Sequence, residues 1–221
     1  MTGHLTAWLF PPKCVLCHRL LSREETDLCS SCRTHTPPFS DSKKHFPFLA
    51  GWTALWYYRD DVRRSLLQYK FYNRRSYAGA YGRLLAMKLQ TENMDGFDIL
   101  TWVPIGRFRR WKRGYDQVQL LAEAAAKELH TRAVPTLVKT RNNPPQSRIS
   151  RTSARRANVM NAYRVTDPGR IAGKRILLLD DIITTGATIS ECAKTLMIAG
   201  AEEVRAAAVA SALRDNSISD M

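Results

Sequence analysis

The stretch that decides the fold runs from Ile176 to Leu196, "ILLLDDIITTGATISECAKTL": four aliphatic residues, two adjacent acids, a threonine-rich turn around Gly186, then a helical segment. Apolar at every position, Ile176 to Leu179 read as a strand buried on both faces, as in the middle of a parallel sheet. The chain is then expected to leave the carboxyl edge of that sheet at Asp180 and Asp181, where open α/β sheets bind ligands. An unpaired carboxylate inside the sheet would carry a large desolvation cost, so an edge position facing hydroxyls or a divalent ion is expected. Next, "TTGAT" supplies three hydroxyls, a glycine for tight turning and a helix N-terminus whose N–H groups favour an anion. Acids for sugar hydroxyls followed by a hydroxyl-rich loop for phosphate describe a site for a ribose 5-phosphate.

Two other readings compete for the same residues. A Walker B strand would need a Walker A loop, and "GRIAGKR" from Gly169 is one residue short between its glycines and carries Arg175 where a Ser or Thr must hold magnesium. A plain strand, turn and capped helix leaves both aspartates and all three threonines unexplained.

Outward from this stretch, strand-like and helix-like segments alternate, which predicts α/β architecture with a largely parallel sheet. "WTALWYY" from Trp52 reads as a strand and "DDVRRSLLQYKF" from Asp60 as a helix burying Val62, Leu66 and Leu67. "YAGAYGRLLAMKLQ" reads as a helix, "DILTWVPI" as a strand, and "DQVQLLAEAAAKEL" as a helix with Asp116 as its N-cap. "VPTLVK" and "RILLL" read as strands, "TISECAKTLMIAGA" as a helix stopped near Gly200, and "EVRAAAVAS" as a closing strand. Cys192 falls on the apolar face of the last helix as a core residue, and the polar tail after it is expected to fray.

Four of the five cysteines fall in the first 32 residues, as Cys14-x2-Cys17 and Cys29-x2-Cys32 separated by eleven residues. Each pair can form a tight knuckle, and four sulfurs make a closed tetrahedral site for structural Zn2+. A redox pair usually needs one CxxC ahead of a helix, and a reducing compartment disfavours disulfides. His18 and His35 are alternative ligands, each more simply a solvated loop residue. About 45 residues bury too little surface to fold unaided, so the metal supplies the missing stability. Three parts are expected: a zinc ribbon with linker over residues 1–45, a main domain over 46–212 and a flexible tail over 213–221. "RTHTPPFSDSKKHFPF" is the linker.

The chain of 221 residues is 44% hydrophobic and 24% charged, with no low-complexity tract, which excludes disordered and fibrous classes. Lys plus Arg outnumber Asp plus Glu by 34 to 20, giving +14, and this favours polyanionic partners. No window has the apolar length of a membrane span, and "LTAWLF" runs into Pro11-Pro12 without a basic leader or cleavage site, so a cytoplasmic protein without membrane insertion is expected.

"ILLLDDIITTGAT" resembles the 13-residue signature of type I phosphoribosyltransferases, which in that family holds 5-phosphoribosyl 1-pyrophosphate (PRPP). The resemblance implies that Asp180 and Asp181 bind the ribose 2- and 3-hydroxyls and serve as the catalytic acids. Thr184, Thr185, Gly186, Ala187 and Thr188 would surround the 5-phosphate, with Mg2+ accompanying the pyrophosphate. With the cysteine pairs ahead of it, the chain resembles the ComF family, whose members join a zinc ribbon to a phosphoribosyltransferase-like domain and include proteins required for DNA uptake in natural transformation. Further matching stretches are "QYKF" with Lys70, "VPIGRFRRWKRGYDQ" from Val103, and "QSRISRTSARRANV" with Gln146, Arg155 and Asn158. Lys70, Arg107 and Arg113 join the PRPP-binding set by the same resemblance. Many members read R-G-F-N-Q where this chain has Arg113-Gly114-Tyr115-Asp116-Gln117. An asparagine can donate to pyrophosphate and Asp116 cannot, whereas its capping role survives.

"RFRRWKR" packs five positive charges into Arg107–Arg113 around Phe108 and Trp111, between a strand and a helix, and reads as an anion-binding loop. Five cations exceed what one pyrophosphate needs. Arg109, Arg110 and Lys112 are therefore candidates for a nucleic-acid backbone, with aromatics for stacking, although Arg109 and Arg110 equally suit a solvated surface. Residues Leu129 to Thr166 contain eight Lys or Arg and no acid. The middle of this region, too polar and too broken by Pro144-Pro145 for a strand, reads as a mobile loop that closes over a ligand or contacts DNA through Arg148, Arg151, Arg155 and Arg156. His45 and His130 have no recognisable catalytic partner.

The expected function is thus PRPP and Mg2+ binding coupled to handling of incoming single-stranded DNA, with a competence helicase or DNA-processing protein as a possible partner. Two alternatives stand beside it: a phosphoribosyltransferase of nucleotide salvage with no DNA role, and a binding module that senses the metabolite. Whether transfer is catalysed is left open by the residues.

Overall fold

The computed structural model describes residues 11–40, 44–140 and 161–213. The central sheet has four strands, β1 (Gly51–Tyr57), β2 (Ile99–Trp102), β5 (Arg175–Ile183) and β6 (Glu203–Ser211), in the order β1-β6-β5-β2, and all its pairings are parallel. Parallel strands need crossover connections, and helices provide them. The helices are α1 (Ser30–His35), α2 (Asp60–Phe71), α3 (Tyr77–Thr91), α4 (Arg107–Arg113), α5 (Gln117–Glu128) and α6 (Ala187–Ile198).

The expected strand "VPTLVK" contributes only β3 (Leu137–Lys139), and it lies outside the main sheet. It pairs antiparallel with β4 (Tyr163–Val165), an element the sequence pattern had not suggested. Three residues behind a long polar run give no periodicity to detect. The ends of this ribbon are tied by a hydrogen bond from the Thr140 amide to the Ala162 carbonyl at 2.8 Å.

Strand pleating divides the core in two. Leu177 and Leu179 of β5 face a cluster built with Val62, Leu66, Tyr69, Tyr81, Leu85, Leu121 and the N-terminal cysteines. Ile176 and Leu178 face the other cluster, with Phe39, Phe46, Ile189, Cys192, Leu196 and the β3–β4 ribbon. Successive side chains of a strand point to opposite faces. On α2, Val62 and Leu66 are buried as expected, while Leu67 is only half-buried and Tyr69 takes the buried position beside them.

The N-terminal segment is seated in the first of these cores. Cys14, Val15, Leu16 and Leu28 pack against α2 and α3, Arg83 forms an ion pair with Asp27, and Ser65 donates to the Val15 carbonyl. The stretch expected to be a linker is equally engaged. Arg33 to His35 belong to α1, Pro38 bridges to Trp56, and Phe39 and Phe46 are buried in the second core. No described helix is long and apolar enough to cross a membrane.

Candidate functional site

The two aspartates stand three and two residues before the end of β5 at Ile183, inside the strand, where the sequence pattern had placed them just beyond it. β5 outruns its neighbour on one side: β2 pairs with it only from Ile99↔Ile176 to Trp102↔Leu179, whereas β6 accompanies it to Ile183↔Ser211. Asp180 and Asp181 therefore project past the carboxyl end of β2. They remain buried, with 8% and 5% of their surface exposed. Strand alternation divides the two acids between the two faces of the sheet.

Asp181, in phase with Leu177 and Leu179, turns toward α2 and α5. Lys70 Nζ lies 2.9 Å from its Oδ1, and Gln117 Nε2 donates to its Oδ2 at 2.8 Å. Burial pushes this carboxyl up, but Lys70 and the Gln117 hydrogen bond outweigh it and hold it below the ordinary carboxylate range. Gln117 in turn accepts from Arg113 at 2.7 Å, so that Lys70, Asp181, Gln117 and Arg113 form one polar chain. Tyr69, fully buried, donates to the Gln117 carbonyl at 2.5 Å and fixes the start of α5.

Asp180, in phase with Ile176 and Leu178, turns toward α6 and the ribbon. Its Oδ1 accepts from the Asp181 amide at 2.8 Å. Burial and then the neighbouring Asp181 push its carboxyl well above the ordinary value, with Lys70 acting the other way. Of the two acids, Asp180 is therefore the harder to ionise. On this side Lys139 Nζ is 3.3 Å from the Tyr163 hydroxyl, and both groups feel the Asp180 charge. Burial, followed by nearby Arg109, pulls the Lys139 amine down.

Beyond Ile183 the chain turns through Thr184 and Thr185 to Gly186, whose φ of +80° is the left-handed conformation that favours glycine. A Cβ here would also sit 2.0 Å from the Phe46 ring, so the turn and the aromatic from the N-terminal segment fit only around a bare backbone. α6 starts at Ala187 with Gly186 as N-cap and no capping side-chain bond, and the Thr185 hydroxyl accepts from the Ala187 amide at 3.4 Å. Its first turn contains no acid. Amides, hydroxyls and the helix dipole together suit a phosphate.

Asp116 caps α5 as expected. Its carboxylate accepts from Val118 at 3.0 Å, Gln119 at 3.1 Å and, across the preceding turn, Ile105 at 3.2 Å. Burial nevertheless raises its carboxyl above the usual value, and these amides only partly offset that. The acid that replaces asparagine here is occupied with the backbone.

The segment read as an anion-binding loop is the helix α4. Arg, Lys and Trp tolerate helix geometry, and Gly114, at φ +75°, ends it with its amide on the Arg110 carbonyl at 2.8 Å. This winding distributes the five cations. Arg113 reaches Gln117 and lies 4.9 Å over the Phe71 ring. Arg109, a nucleic-acid candidate by sequence, is half-buried. Burial and then Arg113 lower its guanidinium, while Tyr163 and Asp181 act the other way, so it lies within electrostatic reach of Asp181. Arg107, Arg110 and Lys112 are exposed. Arg148, Arg151, Arg155 and Arg156, with Gln146 and Asn158, lie outside the described residues.

Gln117, Lys139, Tyr163 and Phe46 were missed as site residues by sequence reasoning. Gln117 stands within the family-like stretch but carries no charge to draw attention. Tyr163 lies in the unforeseen β4, and Phe46 in what read as linker.

The second constellation is the cysteine set. The sulfurs of Cys14, Cys17, Cys29 and Cys32 all lie within 4.8 Å of one another, and Cys17 and Cys29 Sγ are 3.6 Å apart. A tetrahedral zinc with Zn–S of about 2.3 Å separates its sulfurs by roughly 3.8 Å, so the donor set fits a structural Zn2+. No cysteine is in a disulfide. His18 bonds the Tyr77 hydroxyl at 2.7 Å and His35 the Ser31 carbonyl at 2.9 Å, so both alternative ligands are engaged elsewhere. The cysteines form the only group of three or more His, Cys, Asp or Glu suited to a metal among the described residues, so the two aspartates do not make a cation cage by themselves.

Residues 5–43 match the model of the double zinc ribbon domain, and residues 119–220 that of the phosphoribosyl transferase domain. The DNA utilization protein YhgH of Escherichia coli is 29% identical over 202 residues, covering 87% of each chain. Competence protein F of Haemophilus influenzae is 25% identical over 215 residues, covering 87% of this chain and 94% of the relative. Competence protein ComFC of Bacillus subtilis is 26% identical over 211 residues, covering 96% and 77%. A double zinc ribbon packed onto a phosphoribosyltransferase domain, in a chain similar along most of its length to these proteins, makes this protein a member of the ComF family.

Proposed function

We propose that the protein binds PRPP with Mg2+ at the carboxyl edge of its sheet and uses that site in the cytoplasmic handling of single-stranded DNA during natural transformation. The observation that carries the ligand is the continuous edge from Asp180 to Thr188: two acids projecting past β2, then a glycine turn into a helix with no side-chain cap. Asp180 and Asp181 accept from the ribose hydroxyls, and Thr184, Thr185, Gly186, Ala187 and Thr188 surround the 5-phosphate. Lys70, Arg113 and Arg107 face the pyrophosphate. Mg2+ would be held chiefly by the polyphosphate, since the two acids form no cage by themselves, and would supply charge neutralisation there.

Lys70 neutralises Asp181 through their ion pair. Ligand binding then draws Lys70 toward pyrophosphate and favours the charged form of Asp180, which burial disfavours. If transfer to an acceptor occurs, displacement of pyrophosphate from C1 is assisted by arginines at the leaving group. The DNA role is supported by the names of the competence and DNA-utilization relatives and by the net charge of +14. The test pairs two titrations of purified, zinc-loaded protein. Mg-PRPP binding must be lost in Asp180→Asn, Asp181→Asn. Single-stranded DNA binding must weaken with salt and in Arg110→Ala, Lys112→Ala. PRPP turnover with a nucleobase and no DNA binding would replace this reading with a salvage enzyme.

A further inference from the structure

Five aromatic side chains are exposed among the described residues: Phe48, Phe71, Tyr72, Phe108 and Trp111. The last four come from two neighbouring elements. Phe71 and Tyr72 end α2, immediately after Lys70 has turned inward to Asp181, and Phe108 and Trp111 lie on α4. The two elements meet where Arg113 of α4 covers the Phe71 ring at 4.9 Å, and Arg75, just past α2, covers the Tyr115 ring at 4.7 Å. Their exposures are 61%, 72%, 60% and 81% in chain order, and the Phe108 and Trp111 rings are 6.2 Å apart.

Four exposed rings are a cost that a folded protein rarely carries without a partner. What surrounds them names the partner. Residues 70–77 and 107–115 contain eight Lys or Arg (Lys70, Arg74, Arg75, Arg107, Arg109, Arg110, Lys112 and Arg113) and no acid. A protein partner's apolar patch would gain little from so many cations, and a duplex would offer them phosphates but keep its bases stacked away from the rings. Unpaired bases on a phosphate backbone satisfy both features.

We propose that Phe71, Tyr72, Phe108 and Trp111 form a base-stacking platform for single-stranded DNA, running to the mouth of the Asp180–Asp181 site. The inference deepens the DNA part of the proposed function and rests on it. Arg110 and Lys112 hold the backbone, and the rings hold successive bases with little regard to sequence, because every base has a stacking face. Arg113, which touches both Phe71 and the Gln117–Asp181 pair, adjoins the platform to the ligand site.

The test compares three probes of equal length at fixed salt with the full, zinc-loaded chain: oligo(dT), an abasic deoxyribose-phosphate strand and duplex DNA. Wild type is expected to bind oligo(dT) about tenfold or more tighter than the abasic strand or the duplex. Phe108→Ala, Trp111→Ala should bring oligo(dT) down to the abasic level, with an unchanged salt slope and unchanged Mg-PRPP titration. Arg110→Ala, Lys112→Ala should weaken all three probes and flatten the salt slope. Equal wild-type affinity for oligo(dT) and the abasic strand, or oligo(dT) binding indifferent to the ring truncations, overturns the platform and leaves DNA binding through charge standing. A wild-type dimer that the truncations turn into a monomer makes the rings a self-interface and also overturns it. No affinity for any probe removes the DNA reading itself.

Discussion

The two faces of the parallel sheet treat adjacent carboxylates in opposite ways. On the face of α2, α3 and α5, Asp181 is paired with Lys70 and Gln117, and the zinc ribbon closes the same core. On the face of α6 and the β3–β4 ribbon, Asp180 accepts from the neighbouring Asp181 amide, and burial pushes its carboxyl well above the ordinary value. One side is assembled in advance, with a lysine neutralising its acid. On the other, burial makes the carboxylate costlier to ionise, and a partner that favours its charge would offset that cost. A ligand site can thus be stable when empty and still reserve favourable interaction for its ligand.

Removing the metal should break the first face most severely. Cys29→Ser, or chelation of the zinc, takes away the point on which four sulfurs converge, and Cys14, Cys29 and Cys32 belong to the same core as Leu66 and Tyr81. A fall in melting temperature of about 10 °C or more is expected in calorimetry, with loss of stoichiometric zinc. A ribbon that melts alone while the main transition stays in place would show that the two units are independent.

Gly186→Ala probes the second face. The left-handed backbone and the Phe46 ring both resist a Cβ, so about 3 kcal/mol of stability should be lost in denaturant unfolding, together with Mg-PRPP binding. Phe46→Ala in the same chain should recover only the part due to the ring.

Lys70→Ala leaves Asp181 charged and buried without its ion-pair partner. With the two side chains 16% and 8% exposed, a loss of about 2 kcal/mol is expected near neutral pH. Asp181 has a depressed value in the fold, so its contribution is present above the unfolded value of about 3.9 and disappears as pH falls through the folded one. The Lys70→Ala deficit should therefore shrink in acid.

The smallest effect has the opposite sign. Asp180 holds its proton above the pH at which the unfolded carboxyl ionises, so it lowers stability as pH rises from about 4 toward its folded value. Asp180→Asn should gain about 1 kcal/mol in ligand-free protein at neutral pH and flatten that decline. A destabilised Asp180→Asn would mean that the charged form is already compensated, and the contrast between the faces would fail.

Much of this was legible in the chain. α2 and β6 coincide with the segments "DDVRRSLLQYKF" and "EVRAAAVAS", because a helical stripe and an unbroken apolar run leave little ambiguity. The Asp116 cap was readable from its position before an apolar-periodic run. The opposite orientation of Asp180 and Asp181 follows from strand period alone. Their partners do not, since Lys70 and Gln117 reach Asp181 from helices 111 and 64 residues away in the chain, and only tertiary packing brings them there. The winding of "RFRRWKR" was misread as a loop because its charge density suggested function before it suggested geometry. The burial of Phe39 and Phe46 was hidden by the prolines and polar residues around them.

The most direct test of the PRPP site is calorimetric titration of PRPP with Mg2+ into the zinc-loaded protein and into Asp180→Asn, Asp181→Asn at the same salt concentration. Binding by the wild type that vanishes in a folded double variant is the result expected. Absence of binding to the folded wild type, or binding of equal strength to both, would contradict the assignment of the Asp180–Thr188 edge as the PRPP site.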